Sequence, residues 1–214
     1  MSFDPAPEKS PEGAADRWIA TLFAGAFVGL VAAGILDGFE PRKLSAVFIP
    51  ALWVPLLVIH EFGHALVAKA CGWRVERIVL GFGATLKRFH VGGARIDLKM
   101  FPISGYVLPR PTHLRRPQLR NALIYAGGPL LELLAILVVA CAIGFDRLLS
   151  QSDSIPVIAA QSFCVAGLLG LFFTLWPHDT TSGGGVSWSD GKGILWSWKL
   201  PDAYFSKMLR RKPS

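Results

Sequence analysis

The chain has 214 residues, of which 52% are hydrophobic and only 17% charged, a balance that excludes an ordinary soluble globular protein. Its net charge of +7 excludes less, but no aromatic-interleaved basic motif accompanies it, so nucleic acid is not an expected partner. The expected partner by composition is a lipid bilayer.

Residues 1–17 are polar and mixed in sign and read as an N-terminal tail. Four apolar stretches follow, at about 18–36, 45–71, 121–144 and 155–176, each near the roughly 20 residues that a membrane-crossing helix needs. The first is longer than a usual signal-peptide core and reads as an uncleaved span. Between the second and third, residues 74–109 alternate apolar with polar side chains and are broken by Gly81, Gly83, Gly92, Gly93 and Gly105, which predicts short strands joined by glycine turns. The expected fold class is an α-helical polytopic membrane protein with about four transmembrane helices and a small membrane-associated β-hairpin or sheet between the second and third. Residues 18–200 form one membrane domain in this reading, and 201–214 a basic tail.

Charge orients the spans. Ten basic residues between Gly72 and Arg120 face only Glu76 and Asp97, and the stretch after Trp176 adds six more. The short links 37–44 and 145–154 hold three between them, Arg42, Lys43 and Arg147, so the positive-inside rule places those links outside and both termini in the cytoplasm. A multi-pass protein of a cell inner membrane is expected. Cys71, Cys141 and Cys164 lie in or at the ends of apolar stretches, form no C-x-x-C pair and read as packing residues.

The second stretch contains the unusual chemistry. "VPLLVIHEFGHALVAKACGW", Val54–Trp73, is apolar enough for lipid yet carries His60, Glu61 and His64. On a helix the two histidines lie one turn apart on one face, where both imidazoles reach a single ion, and Glu61 stands beside them as a base for water. Ionisable groups inside a membrane are expensive, and three together read as functional. A catalytic zinc site takes a third protein ligand and keeps one position open. Asp179, Asp190 and Glu132 compete for that place: Asp190 sits in a Ser-Asp-Gly turn on the same side as His60, Asp179 adjoins the end of the fourth stretch, and Glu132 lies deep in the third stretch with no basic residue within a turn. His90, His113 and His178 have no ligand spacing.

These residues resemble the site-2 protease group of intramembrane zinc metalloproteases, the M50 peptidases. "HEFGHALVAKACGWRVERIVLGFG" is similar to the family's HExxH helix and the strand after it, and "LKMFPISGYVLP" to its P-L-G-G-Y-V strand. "YAGGPLLE" resembles the A-G-P-x-x-N helix, and "TLWP…SDGKGIL" the N-L-x-P…x-D-G segment that supplies the third zinc ligand. The resemblance implies one Zn²⁺ per chain on His60, His64 and Asp190, with Glu61 as catalytic base and Asp179 left as an alternative ligand. It also implies a strand around Gly105 that contacts substrate, a transmembrane protein as that substrate, and room for a regulatory membrane partner. Two positions depart from the pattern: Glu132 stands where the family has Asn, and Thr174 where it has another Asn. In the family the helix Asn is associated with substrate or transition state, which makes Glu132 a candidate for that contact.

Two other classes compete with the zinc endopeptidase. A metal-binding scaffold or regulator of the same fold, without proteolytic turnover, draws support from Glu132 but has no use for Glu61. A metal transporter would want facing polar residues along several spans, whereas the first has only Thr21 and the fourth Gln161, Ser162 and Thr174.

Overall fold

The computed structural model describes residues 25, 28–29, 31–34, 36–182 and 185–210. The tail at 1–17, most of the expected first span at 18–36, and residues 211–214 lie outside the described residues. Among the described residues, three helical segments are long and apolar enough to cross a membrane: Pro41–Ala70, Pro117–Ile143 and Ile155–Leu175. The first begins as a 3-10 turn, Pro41–Leu44, that runs into helix α1, Ser45–Ala70; the others are α2, Pro117–Ile143, and α4, Ile155–Leu175. A five-residue helix α3, Phe145–Leu149, joins the last two.

The packing of these helices inverts the soluble pattern. Leu130, Leu133, Leu134, Leu137 and Val138 of α2 and Leu168, Leu169, Phe172 and Phe173 of α4 face outward, whereas the buried positions include His60, Glu61, His64, Glu132 and Ser162 with several glycines. Lipid tails reward no burial of leucine, so helix contact in a membrane falls to small residues that let backbones approach. The glycines of α2 serve that purpose: a Cβ placed on Gly127 would lie 2.7 Å from the carbonyl oxygen of Gly63 on α1. Helix α2 runs uninterrupted through Gly127, Gly128 and Pro129.

Between α1 and α2 lies the expected β-region, built from two long antiparallel strands rather than several short ones: β1, Arg74–Val91, and β2, Ala94–Arg110. Register shifts spread along β1, several of them between Leu80 and Lys87, let the pair fold over itself. Residues 77–80 of β1 consequently meet residues 105–108 of β2 on one flank and 95–98 on the other. Among the described residues, the far flank of 105–108 pairs with no strand and is left as an edge.

The main hydrophobic cluster fastens this hairpin to the C-terminal end of α1. It joins Ala65 and Ala68 of α1, Ile124 of α2, Trp73, Val75, Ile78 and Leu80, Ala94 and Ile96, and Phe205. Phe205 belongs to helix α6, Asp202–Arg210, formed by residues that the sequence reads as tail. Its fully buried ring packs edge-on to Trp73 with centroids 6.2 Å apart, a burial worth about 2–3 kcal/mol. Before it come a second hairpin, β3 Asp179–Ser182 and β4 Gly185–Trp188, and the short helix α5, Asp190–Trp196.

Candidate metal centre

His60, Glu61 and His64 sit in the buried half of α1, and Asp190 arrives from the opposite end of the chain at the first position of α5. Ser189 makes that arrival possible. Its hydroxyl donates to the Trp176 carbonyl at 2.8 Å and accepts from the backbone N–H of His178 at 3.0 Å and of Lys192 at 3.3 Å, so one side chain closes the loop and caps the helix. Gly191 must be glycine, because a Cβ there would run into the Leu175 backbone carbonyl.

The donor atoms converge. His60 Nε2 lies 2.9 Å from Asp190 Oδ2, His64 Nε2 lies 3.3 Å from Asp190 Oδ1, and the two Nε2 atoms are 3.2 Å apart. Tetrahedral zinc with bonds of about 2.0–2.2 Å holds its ligand atoms about 3.3–3.5 Å from one another, so the spacing fits that ion. Among the described residues, His60, His64 and Asp190 are the one group of three or more such side chains that meets metal-site geometry.

The far ring nitrogens settle what the near ones offer. His64 Nδ1 is 2.7 Å from the Ile124 carbonyl oxygen and His60 Nδ1 is 2.8 Å from Glu132 Oε2. A carbonyl and a carboxylate accept, so each Nδ1 carries a hydrogen, which leaves Nε2 as the nitrogen through which each ring can ligate a metal. The Gly128 N–H also lies 3.2 Å from His64 Nδ1, a longer contact that does not displace the Ile124 bond. Two imidazole Nε2 atoms and a carboxylate converging on one place are the donor set of a zinc site. Gly128 keeps the place open, since a Cβ there would come within 2.8 Å of His60 Nε2.

Glu61 is buried, and its Oε2 has no hydrogen-bond partner among the described residues. Gly105 faces it: a Cβ on Gly105 would lie 2.7 Å from Glu61 Oε1, so β2 can pass the carboxylate only without a side chain at this position. Both residues line a cavity of about 490 Å³ with His60, His64, Asp190 and Glu132. Residues 103–109 of β2 form one wall, Trp53, Leu56 and Leu57 of α1 another, and Tyr204 and Met208 of α6 close a third side.

Asp179 is not brought to this group. It is exposed and pairs with Lys192 Nζ at 2.5 Å. Glu132 is brought close, but to the Nδ1 side of His60, away from the converging Nε2 atoms. Exposed His178 and half-buried Thr174 reach the cavity wall, while His113 bonds to Arg120. Sequence reasoning placed Ser189 in the turn that returns Asp190 but missed its capping role, and it missed Tyr204 and Met208. A serine before Asp-Gly-Lys is a helix-cap signal, and Tyr204, Phe205 and Met208 share one helical face, a signal masked by the basic residues around them.

Helix-borne His-Glu-x-x-His with a returning aspartate, set among apolar helices, defines the class of membrane metallopeptidases. Residues 47–202, well over half of the chain, match the family described as peptidase family M50, and the chain belongs to that family. It is similar to "Regulator of sigma-E protease RseP" of Salmonella typhimurium, with 41% identity over 98 residues, 39% of this chain and 22% of the relative. It is likewise similar to "Protease RseP" of Yersinia pestis, 36% over 107 residues, 44% of this chain and 24% of the relative. A third relative, "Regulator of sigma-E protease RseP" of Escherichia coli, is 48% identical over 63 residues, 29% of this chain and 14% of the relative. The chain thus spans about a quarter or less of the length of the curated relatives it matches.

Proposed function

We propose that this chain is an intramembrane zinc endopeptidase that hydrolyses peptide bonds in or near transmembrane segments of membrane proteins. The reading rests above all on one observation, the meeting of three metal-type donors and an unpartnered Glu61 oxygen at a cavity bordered by a strand edge. His60, His64 and Asp190 are the ligands in this reading, and Asp179 is set aside because it pairs with Lys192. Bound there, Zn²⁺ supplies Lewis acidity toward the scissile carbonyl and toward water.

The chain's own residues supply the rest. Asp190 and the two Nε2 lone pairs fix the ion, and the Nδ1 bonds to Glu132 and Ile124 hold the rings in register. Glu61 Oε2 takes a proton from water and passes it to the leaving amine, a role typically worth roughly 10²- to 10⁴-fold in rate. Peptide bonds in a helix are shielded by their own hydrogen bonds, so the substrate must unwind. The edge of β2 at residues 105–108 offers an unwound strand its backbone bonds by strand addition, with Gly105 setting the strand against Glu61. The apolar wall formed by Trp53, Leu56 and Leu57 suits residues from a membrane span.

In the same reading, residues 18–200 form one membrane domain with four spans, the first at about 18–36, both termini are cytoplasmic, and the protein resides in an inner membrane. The regulatory role named in its relatives supports a membrane protein as substrate and a regulatory membrane partner. The test is cleavage of a panel of tagged single-span proteins in liposomes by the wild type, Glu61→Gln and Asp190→Ala, with zinc measured on the same samples. A wild type that cuts, a Glu61→Gln form that keeps zinc without cutting and an Asp190→Ala form that loses zinc are expected. Cleavage by Glu61→Gln within tenfold of the wild-type rate would sink the mechanism, and zinc-loaded wild type inert toward every substrate would favour the scaffold instead.

A further inference from the structure

The geometry points to Glu132 as a positioning residue for the metal centre: its carboxyl group fixes the His60 ring through Nδ1, in place of a direct contact with substrate. The inference rests on the reading of His60, His64 and Asp190 as ligands.

Three observations carry it. The side chain of Glu132 is 5% exposed in the middle of an apolar helix, with Oε2 2.8 Å from His60 Nδ1. No lysine or arginine pairs with it among the described residues, in contrast to the carboxylates of the hairpin. A buried carboxylate in such a place survives by hydrogen bonding and by opposite charge, and here both lie through the His60 ring. The second observation is direction. Oε2 meets the ring on the side opposite Asp190, so Glu132 cannot share the ion with His60 Nε2, but it sets the tautomer and plane that His60 presents to it. The third is space: a Cβ on Gly170 of α4 would lie 2.9 Å from Glu132 Oε1, so the neighbouring helix is cut away where this carboxylate stands.

The two histidines are therefore held by different means. His64 leans on a backbone carbonyl, which exerts no charge, and His60 on a carboxylate, whose charge-assisted bond is about twice as strong as a neutral one.

The test is zinc affinity of the full chain in detergent, read by competition with a chelating indicator, for the wild type, Glu132→Ala, Glu132→Gln, Gly170→Ala and Asp190→Ala. Loss of such a partner typically lowers metal affinity roughly 10- to 100-fold, and Glu132→Ala is expected in that range. Glu132→Gln should fall between Ala and wild type, because an amide oxygen still accepts from Nδ1–H without the charge. Gly170→Ala should weaken zinc binding while leaving Glu132 in the sequence. On zinc-loaded samples, the ¹⁵N-detected Nδ1–H resonance of His60 should move in Glu132→Gln and that of His64 should not. If Asp190→Ala loses zinc while the Glu132 and Gly170 variants bind within twofold of wild type, the positioning role is overturned and the centre stands. If wild type binds no zinc, or Asp190→Ala binds it normally, the centre falls and this inference with it. Should Glu132→Ala fail to fold, the Gln and Gly170 variants decide.

Discussion

The hairpin and the helical site each bury a carboxylate, and they neutralise it in opposite ways. Asp97 of β2 is fully buried and ringed by guanidinium groups: Arg77 Nε donates to Oδ2 at 2.7 Å, while Arg95 and Arg88 approach Oδ1 at 3.4 and 3.7 Å. Glu61, Glu132 and Asp190 gather around two histidines with no lysine or arginine among them. In the hairpin the chain carries its own counterions, so the charge is structural. In the helical site the carboxylates meet only histidines, and under the proposed reading a bound metal supplies the compensating charge, a difference that distinguishes a fold-holding cluster from a functional one more sharply than burial does.

Mutations on the two sides should break different properties. The largest effect is expected from removing the external charge: chelation of zinc, or Asp190→Ala, should abolish cleavage altogether, measured on a tagged single-span substrate, while Asp97 variants keep their zinc. Glu61→Gln comes next, with a fall of roughly 10²- to 10⁴-fold in rate at unchanged zinc content. Cleavage within tenfold of wild type would remove Glu61 from the proton path. On the structural side, Asp97→Ala leaves Arg77 without its partner. Because the arginines can turn toward water, a loss of about 3 kcal/mol is expected, at the low end for a broken buried pair, seen as a lower melting temperature in detergent. If Asp97→Ala instead released zinc from an otherwise stable protein, the division between the two clusters would not hold.

The same contrast explains what the sequence made legible. His60, Glu61 and His64 lie within five residues on one helix, so local periodicity alone puts them together, and the three apolar helices follow from length and composition. The contact of Glu132 with His60 spans 72 residues and depends on how α1 and α2 are rotated against each other, which the close meeting of Gly63 and Gly127 determines. No local pattern encodes that rotation. Asp190 was legible through a family resemblance, and its placement is physically the work of Ser189 and Gly191. Helix α6 stayed hidden because basic residues dominate the sequence from 207 to 212, while its contribution to the core comes through Phe205.

Ser189 offers the mildest way to test whether the loop delivers Asp190 by design of its bonds. Its hydroxyl holds the Trp176 carbonyl and the His178 and Lys192 amides, so Ser189→Ala removes one donor and one shared acceptor without touching any candidate ligand. Loss of a helix cap typically amounts to about 1 kcal/mol. If that free energy is spent on holding Asp190 toward the histidines, zinc affinity should fall by a factor of about five, well short of the effect of Asp190→Ala. Thr at the same position retains the hydroxyl and should restore most of the affinity. An unchanged affinity in Ser189→Ala would mean that the fit of Gly191 against Leu175 positions the aspartate without the cap, and that the hydroxyl network serves the second hairpin instead.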